Sequence, residues 1–103
     1  VLEQGLSLER GIMQVSGLKV NYEPERRIGS RILKVTVDGK PLRKDSIYSV
    51  ATGDYIVNGG DNYSQFLEAE VVSVGRNFSE VLLDYFRERP LVYAPKRGRL
   101  LAQ

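Results

Sequence analysis

Residues 30–42 read SRILKVTVDGKPL. Leu33, Val35 and Val37 alternate with polar residues, the two-residue repeat of a strand with one buried face, and Ile32 interrupts that repeat. Asp38-Gly39 then supplies two adjacent residues tolerant of positive φ, which is what a type I′ hairpin turn requires. The stretch therefore predicts a strand that reverses at Asp38-Gly39, with Leu42 in the returning arm. Upstream, Leu18, Val20 and Tyr22 alternate with Lys19 and Asn21, and before Gly17 the residues Met13 and Val15 alternate with Gln14 and Ser16. A polar connection, EPERRIG, runs between Pro24 and Gly29. At the start of the chain, Leu2, Leu6 and Leu8 share one side of a short helical segment that Gly11 would end.

Downstream, Ile47 to Thr52 reads as a further strand, Ser64 to Ala69 as one helical turn, and Glu70 to Val74 as a short β-branched strand. Asn77-Phe-Ser-Glu80 places a capping side chain ahead of a helix. In that helix Phe78, Val81, Leu82, Tyr85 and Phe86 fall at i, i+3, i+4, i+7 and i+8, the spacing of a single stripe packed on a core. Pro90 stops the helix, and Gly98 to Ala102 predicts a terminal strand. This order implies an α+β fold: a mostly antiparallel sheet with one long and one or two short helices packed on it. The 103 residues are expected to form a single domain, residues 1–103.

Hydrophobic residues at 42% and charged residues at 27% describe an ordinary globular balance. Fifteen Lys and Arg against thirteen Asp and Glu leave a formal charge of +2, with the two signs interspersed. A nucleic-acid polymer is therefore not an expected partner, because a polymer binder concentrates positive charge on a stripe. Arg26, Arg27 and Arg31 sit in or beside a polar turn and read as solvated charge. There is no cysteine and no histidine, so the chain lacks the leading transition-metal ligands and the commonest general base. No catalytic residue and no metal ligand is assigned to it. No signal peptide or membrane span is visible, and the opening VLEQGL reads as the last turns of a helix begun elsewhere.

One segment carries chemistry beyond folding. Residues 53–63 read GDYIVNGGDNY, directly after a predicted strand, where loops on a rigid scaffold often bind ligands. The glycine pair allows close backbone approach, while Asn58, Asp61 and Asn62 are equally the residues of a tight turn. It is not a phosphate-cradling loop, since the GxxxxGK spacing is absent. On residue types alone, turn and binding site both stand.

The succession GLSLERGIMQVSGLKVNYE, GSRILKVTVDGKPL and YSVATGDYIVNGGDNYSQF resembles the C-terminal domain of the 5′-nucleotidase family, with the pattern Ala-Thr-x-x-(aromatic)-x-x-x-Gly-Gly-Asp-x-Tyr met from Ala51 to Tyr63. The resemblance covers nearly the whole chain and implies most of that domain, truncated at its N-terminal side. It implies that Tyr55 stacks on a nucleobase, that Asp61 accepts hydrogen bonds from ribose hydroxyls, and that Asn58, Gly59 and Gly60 complete the substrate-binding segment. Two positions depart from the family pattern: Tyr55 stands where Phe is usual, and Asn62 where Gly is common. Tyr63, Phe66 and Tyr93 read as core or loop anchors. By the same resemblance, phosphate-binding arginines and a second aromatic belong to sequence upstream of Val1, and two divalent metal ions belong further upstream, in a metallophosphoesterase domain that performs the hydrolysis. The expected partners are thus a nucleotide or nucleoside and that upstream domain. The fragment alone is expected to be inactive, and the location extracytoplasmic. The alternative function is a non-catalytic ligand-binding or protein-interaction module of the cell envelope.

Overall fold

The computed structural model describes residues 1–8 and 11–103. In chain order the elements are helix α1 (Leu2–Gly5), strands β1 (Leu18–Tyr22), β2 (Ile32–Val37) and β3 (Lys40–Pro41), and the short helix α2 (Asp54–Val57). Two 3₁₀ turns (Gly60–Asn62 and Ser64–Glu68), helix α3 (Phe78–Arg87) and strand β4 (Leu100–Ala102) follow. The strands form one sheet in the order β3-β2-β1-β4. β1 and β2 pair antiparallel, as do β2 and β3, while β4 runs parallel to β1. The fold is α+β with a mostly antiparallel sheet.

The hairpin turn forms where the sequence places it. Asp38 and Gly39 both take positive φ, 49° and 77°, and Val37 pairs with Lys40 across them. Ile32, which interrupts the alternation, has a specific role. Between Asn21 and Tyr22 the register shifts, so that Tyr22 faces Ile32 while Asn21 faces Lys34. Leu33 is the extra residue of a β-bulge, and the bulge returns Ile32 to the face that already carries Val35. Both pack on the core of Leu6, Val20 and Tyr22, together with Leu2, Leu18 and Leu100. Val20, in the central strand, is only 1% exposed.

The polar loop before β2 is tied to α1. Both carboxylate oxygens of Glu3 accept backbone N–H bonds, from Arg31 at 3.0 Å and Ile32 at 2.9 Å. Arg31 is not the solvated charge its neighbours suggest: its guanidinium donates to the carbonyls of Leu6 and, at 3.0 Å, Arg26. Arg26 does remain outside, paired with Glu23 at 2.6 Å. α1 is shorter than expected. It ends at Gly5 because Leu6 already leaves helical geometry and Leu8 takes φ 67°; residues 9 and 10, in the segment expected to be helical, lie outside the described residues.

Two predicted strands do not form. Neither 47–52 nor 70–74 joins a ladder. Ile47 is fully exposed, and Val50, Val71, Val72 and Val74 also lie open. β-branched residues favour a strand only when a neighbour supplies cross-strand contacts, and neither segment reaches the sheet. Residues 12–16 likewise run without strand pairing, although Met13 donates its N–H to the Gly5 carbonyl at 3.2 Å.

α3 forms with the expected cap. Asn77 Oδ1 accepts the Ser79 N–H at 3.0 Å and the Ser79 hydroxyl at 2.6 Å. Glu80 does not close the capping box; it lies beside Arg76, which pairs with Asp84 at 2.7 Å. None of the helix's residues is buried, so the expected core stripe faces outward, with Phe78 77% exposed. Part of the stripe is covered locally: the Arg89 guanidinium stands 3.7 Å from the centre of the Tyr85 ring, and Phe86 meets that ring edge-on at 5.8 Å. No helix among the described residues is long and apolar enough to cross a membrane.

Candidate functional site

The segment GDYIVNGGDNY folds into two tight turns of helix set back to back. Gly53 caps α2 in extended geometry, and the Asp54 carboxylate accepts the Tyr55 N–H at 2.8 Å. α2 runs for a single turn and closes at Asn58, whose N–H donates to the Asp54 carbonyl at 3.0 Å. Reversal follows at Gly59, with φ 87°. Gly59 is well suited to the left-handed region, which costs a side-chain-bearing residue roughly 1–2 kcal/mol.

Gly60 is required for a different reason. A Cβ placed on it would lie 2.5 Å from the Tyr55 carbonyl oxygen and 2.6 Å from two carbons of the Tyr55 ring. Only a bare backbone lets the ring lie down at this point. The next two residues, Asp61 and Asn62, also take positive φ, 50° and 65°. Asp and Asn are among the few non-glycine residues that enter this region readily, which accounts for Asn62 at its position.

The result brings Tyr55 and Asp61 together. The Tyr55 hydroxyl donates to Asp61 Oδ1 at 3.2 Å, while the residue as a whole stays 63% exposed. Gly59 and Gly60 lie between them in sequence and are partly covered, and Asn58 sits exposed at the rim. All five predicted substrate-binding residues thus belong to one surface feature. It is a ledge: neither the small cavity under α1 nor the open depression beside β2, about 660 Å³, is lined by Tyr55 or Asp61.

Two contacts fasten the ledge to the folded half of the molecule. Gln4 donates its side-chain amide to the Asp61 carbonyl at 3.2 Å. Tyr63 is buried, and its hydroxyl would stand 3.3 Å from a Cβ on Gly5 in α1. Burial first, and the Asp61 carboxylate second, push the Tyr63 phenol above its ordinary pKa of 10.0. Tyr63 also meets Phe66 at a tilt, with ring centres 6.3 Å apart. Gln4 has no signal in the sequence, since a single amide in a helical turn marks nothing until the turn is seen beside the motif.

The sequence has no His or Cys, and no group of three Asp or Glu among the described residues could hold an ion.

The α+β scaffold thus presents an aromatic and a carboxylate together from one glycine-paired turn. Its kinship is specific. The sequence profile of the 5′-nucleotidase C-terminal domain matches residues 1–68, and the chain belongs to that family. It is 30% identical over 98 residues to a 5′-nucleotidase of Diplobatis ommata, covering 86% of this chain and 17% of that protein. Over 104 residues it is 30% identical to the cell wall protein Lmo0130 of Listeria monocytogenes, covering 94% and 13%. The trifunctional nucleotide phosphoesterase protein YfkN of Bacillus subtilis is 35% identical over 97 residues, covering 85% of this chain and 6% of that protein. The chain therefore spans less than a fifth of the length of each of these relatives.

Proposed function

We propose that this domain recognises the nucleoside end of a nucleotide for a 5′-nucleotidase-like phosphohydrolase. Tyr55 offers its ring to the base, Asp61 accepts from the ribose hydroxyls, and Gly59 and Gly60 form the backbone floor on which the ligand rests, with Asn58 at its rim. The observation that carries this reading is the pairing of an exposed aromatic with a carboxylate on one ledge, 3.2 Å apart at their nearest polar atoms. An aromatic face accepts any base, and an ionised carboxylate is an acceptor-only group suited to hydroxyl donors.

The ledge holds one side of a ligand only. A second aromatic and the phosphate-binding arginines belong, on this reading, to sequence upstream of Val1, and the metal ions that activate water to a separate domain further upstream. On this division the domain is inactive by itself. Relatives named as 5′-nucleotidase and nucleotide phosphoesterase support the substrate class, and a relative named as a cell wall protein supports an extracytoplasmic setting.

The test is Tyr55→Ala in the full-length protein. Loss of stacking raises KM for nucleoside monophosphates about tenfold, taking a base–aromatic contact as roughly 1–3 kcal/mol. A small phosphate ester without a base is hydrolysed nearly as before. An equal effect on both substrates would contradict a stacking role.

A second reading, a protein-interaction module, draws on the outward apolar stripe of α3. The two separate on the upstream gene sequence: metal-binding patterns such as Asp-x-His and Gly-Asn-His-Glu would support the enzyme, and their absence would support the module.

A further inference from the structure

We infer that the Tyr55 hydroxyl relaxes sugar selectivity, so that the site accepts 2′-deoxyribonucleotides nearly as well as ribonucleotides. This rests on the nucleoside-recognition reading above and concerns a group that reading leaves unused, the phenolic O–H.

The argument begins with the acceptor. Asp61 is held from three directions: its carbonyl by Gln4, its backbone in the left-handed region, and its Oδ1 by the Tyr55 hydroxyl. A site that rejects a sugar lacking one hydroxyl does so chiefly because its own polar group is left without a partner once the ligand has excluded water. Here the partner is already present. When a ligand brings only one hydroxyl to Asp61, the Tyr55 donor remains on Oδ1 and the carboxylate is still served.

The geometry also permits exchange. At 3.2 Å the contact is longer than a well-formed O–H···O bond, so a ligand hydroxyl can displace it when two are offered. Displacement leaves the phenol without that acceptor, which offsets part of what the second ligand hydroxyl contributes. Both effects narrow the gap between the two sugars.

A phenylalanine at this position would keep the ring and remove the donor. Asp61 would then depend on the ligand alone. The hydroxyl acts here through Asp61, and Tyr55→Phe isolates it, since an exposed ring losing one oxygen poses little threat to folding.

The experiment compares binding of AMP and dAMP, by calorimetry with a chelator present to block hydrolysis, to the full-length protein and its Tyr55→Phe variant. The expected result is a ribo-to-deoxyribo affinity ratio near unity for the native protein, rising by roughly three- to tenfold in the variant. A ratio unchanged or lowered by Tyr55→Phe would overturn the inference. Tyr55→Ala and Asp61→Ala distinguish the two levels. If both weaken AMP binding while Tyr55→Phe leaves the ratio alone, the hydroxyl's role fails and nucleoside recognition stands. If neither weakens it, recognition at this ledge fails, and the inference with it.

Discussion

The sheet with α1 and the stretch from residue 47 to 97 have equally regular sequences, yet outside the ledge around Tyr63 only the first is packed. In the sheet, Val20 and Tyr22 alternate with polar residues and are buried between β2 and β4. In the later stretch, 47–52 and 70–74 are as rich in β-branched residues, and α3 has a cleaner apolar stripe than any strand, but these side chains remain in water. The difference lies in partners. β1 has a backbone ladder on both sides, and Glu3 and Arg31 bind α1 to the start of β2. Periodicity marks which face of an element is able to be buried; a neighbour decides whether it is.

The most sensitive test of this contrast is a pair of truncations. Val20→Ala should cost about 2 kcal/mol in urea unfolding, because it opens a cavity beneath a central strand. Phe78→Ala should stay within about 0.5 kcal/mol, as exposed substitutions do. Equal losses would mean that α3 is docked on the core in solution and would break the comparison.

Gly60→Ala probes the ledge that joins the two regions. With backbone and ring atoms 2.5–2.6 Å from the new carbon, the turn has to shift, at an overpacking cost of about 1–3 kcal/mol. The thermal midpoint should fall, and the Tyr55 ring resonances should move. A midpoint like that of the native protein would show that the ring does not lie on Gly60.

The smallest effect concerns pH. Tyr63 has a pKa raised in the folded state, so folding favours its neutral form. That contribution is complete below the unfolded value near 10.0 and declines as pH rises from there through the folded value. Denaturation midpoints measured above pH 10 should fall more steeply in the native protein than in Tyr63→Phe. Parallel curves would place the phenol in water rather than against α1.

Much of the folded half is legible from residue types. Asp38-Gly39 permits little other than a tight reversal, and Asn77 ahead of an apolar stripe fixes the start of α3. The bulge at Leu33 is only half visible: Ile32 breaks the alternation, but whether it or Leu33 turns inward depends on the register with Tyr22. Ile47 to Thr52 misleads because its pattern is right and its partner is absent from the described contacts. For the ledge, Gly59, Gly60 and Asp61 declare a turn, and the resemblance singles out Tyr55. The residue types carry no sign of the helical turn Asp54–Val57, nor of the attachment through Gln4, which depends on how distant segments meet.

The strand order has a further consequence, for the sequence of events in folding. β1 lies between β2, which follows it closely in the chain, and β4, where Leu100 pairs with Val20 across most of the molecule's length. The β1–β2 arm can assemble from local contacts, whereas the parallel ladder must wait for a large loop to close, the slow step of such topologies. A nascent chain would therefore hold one side of its central strand uncovered through the synthesis of everything from α2 to α3.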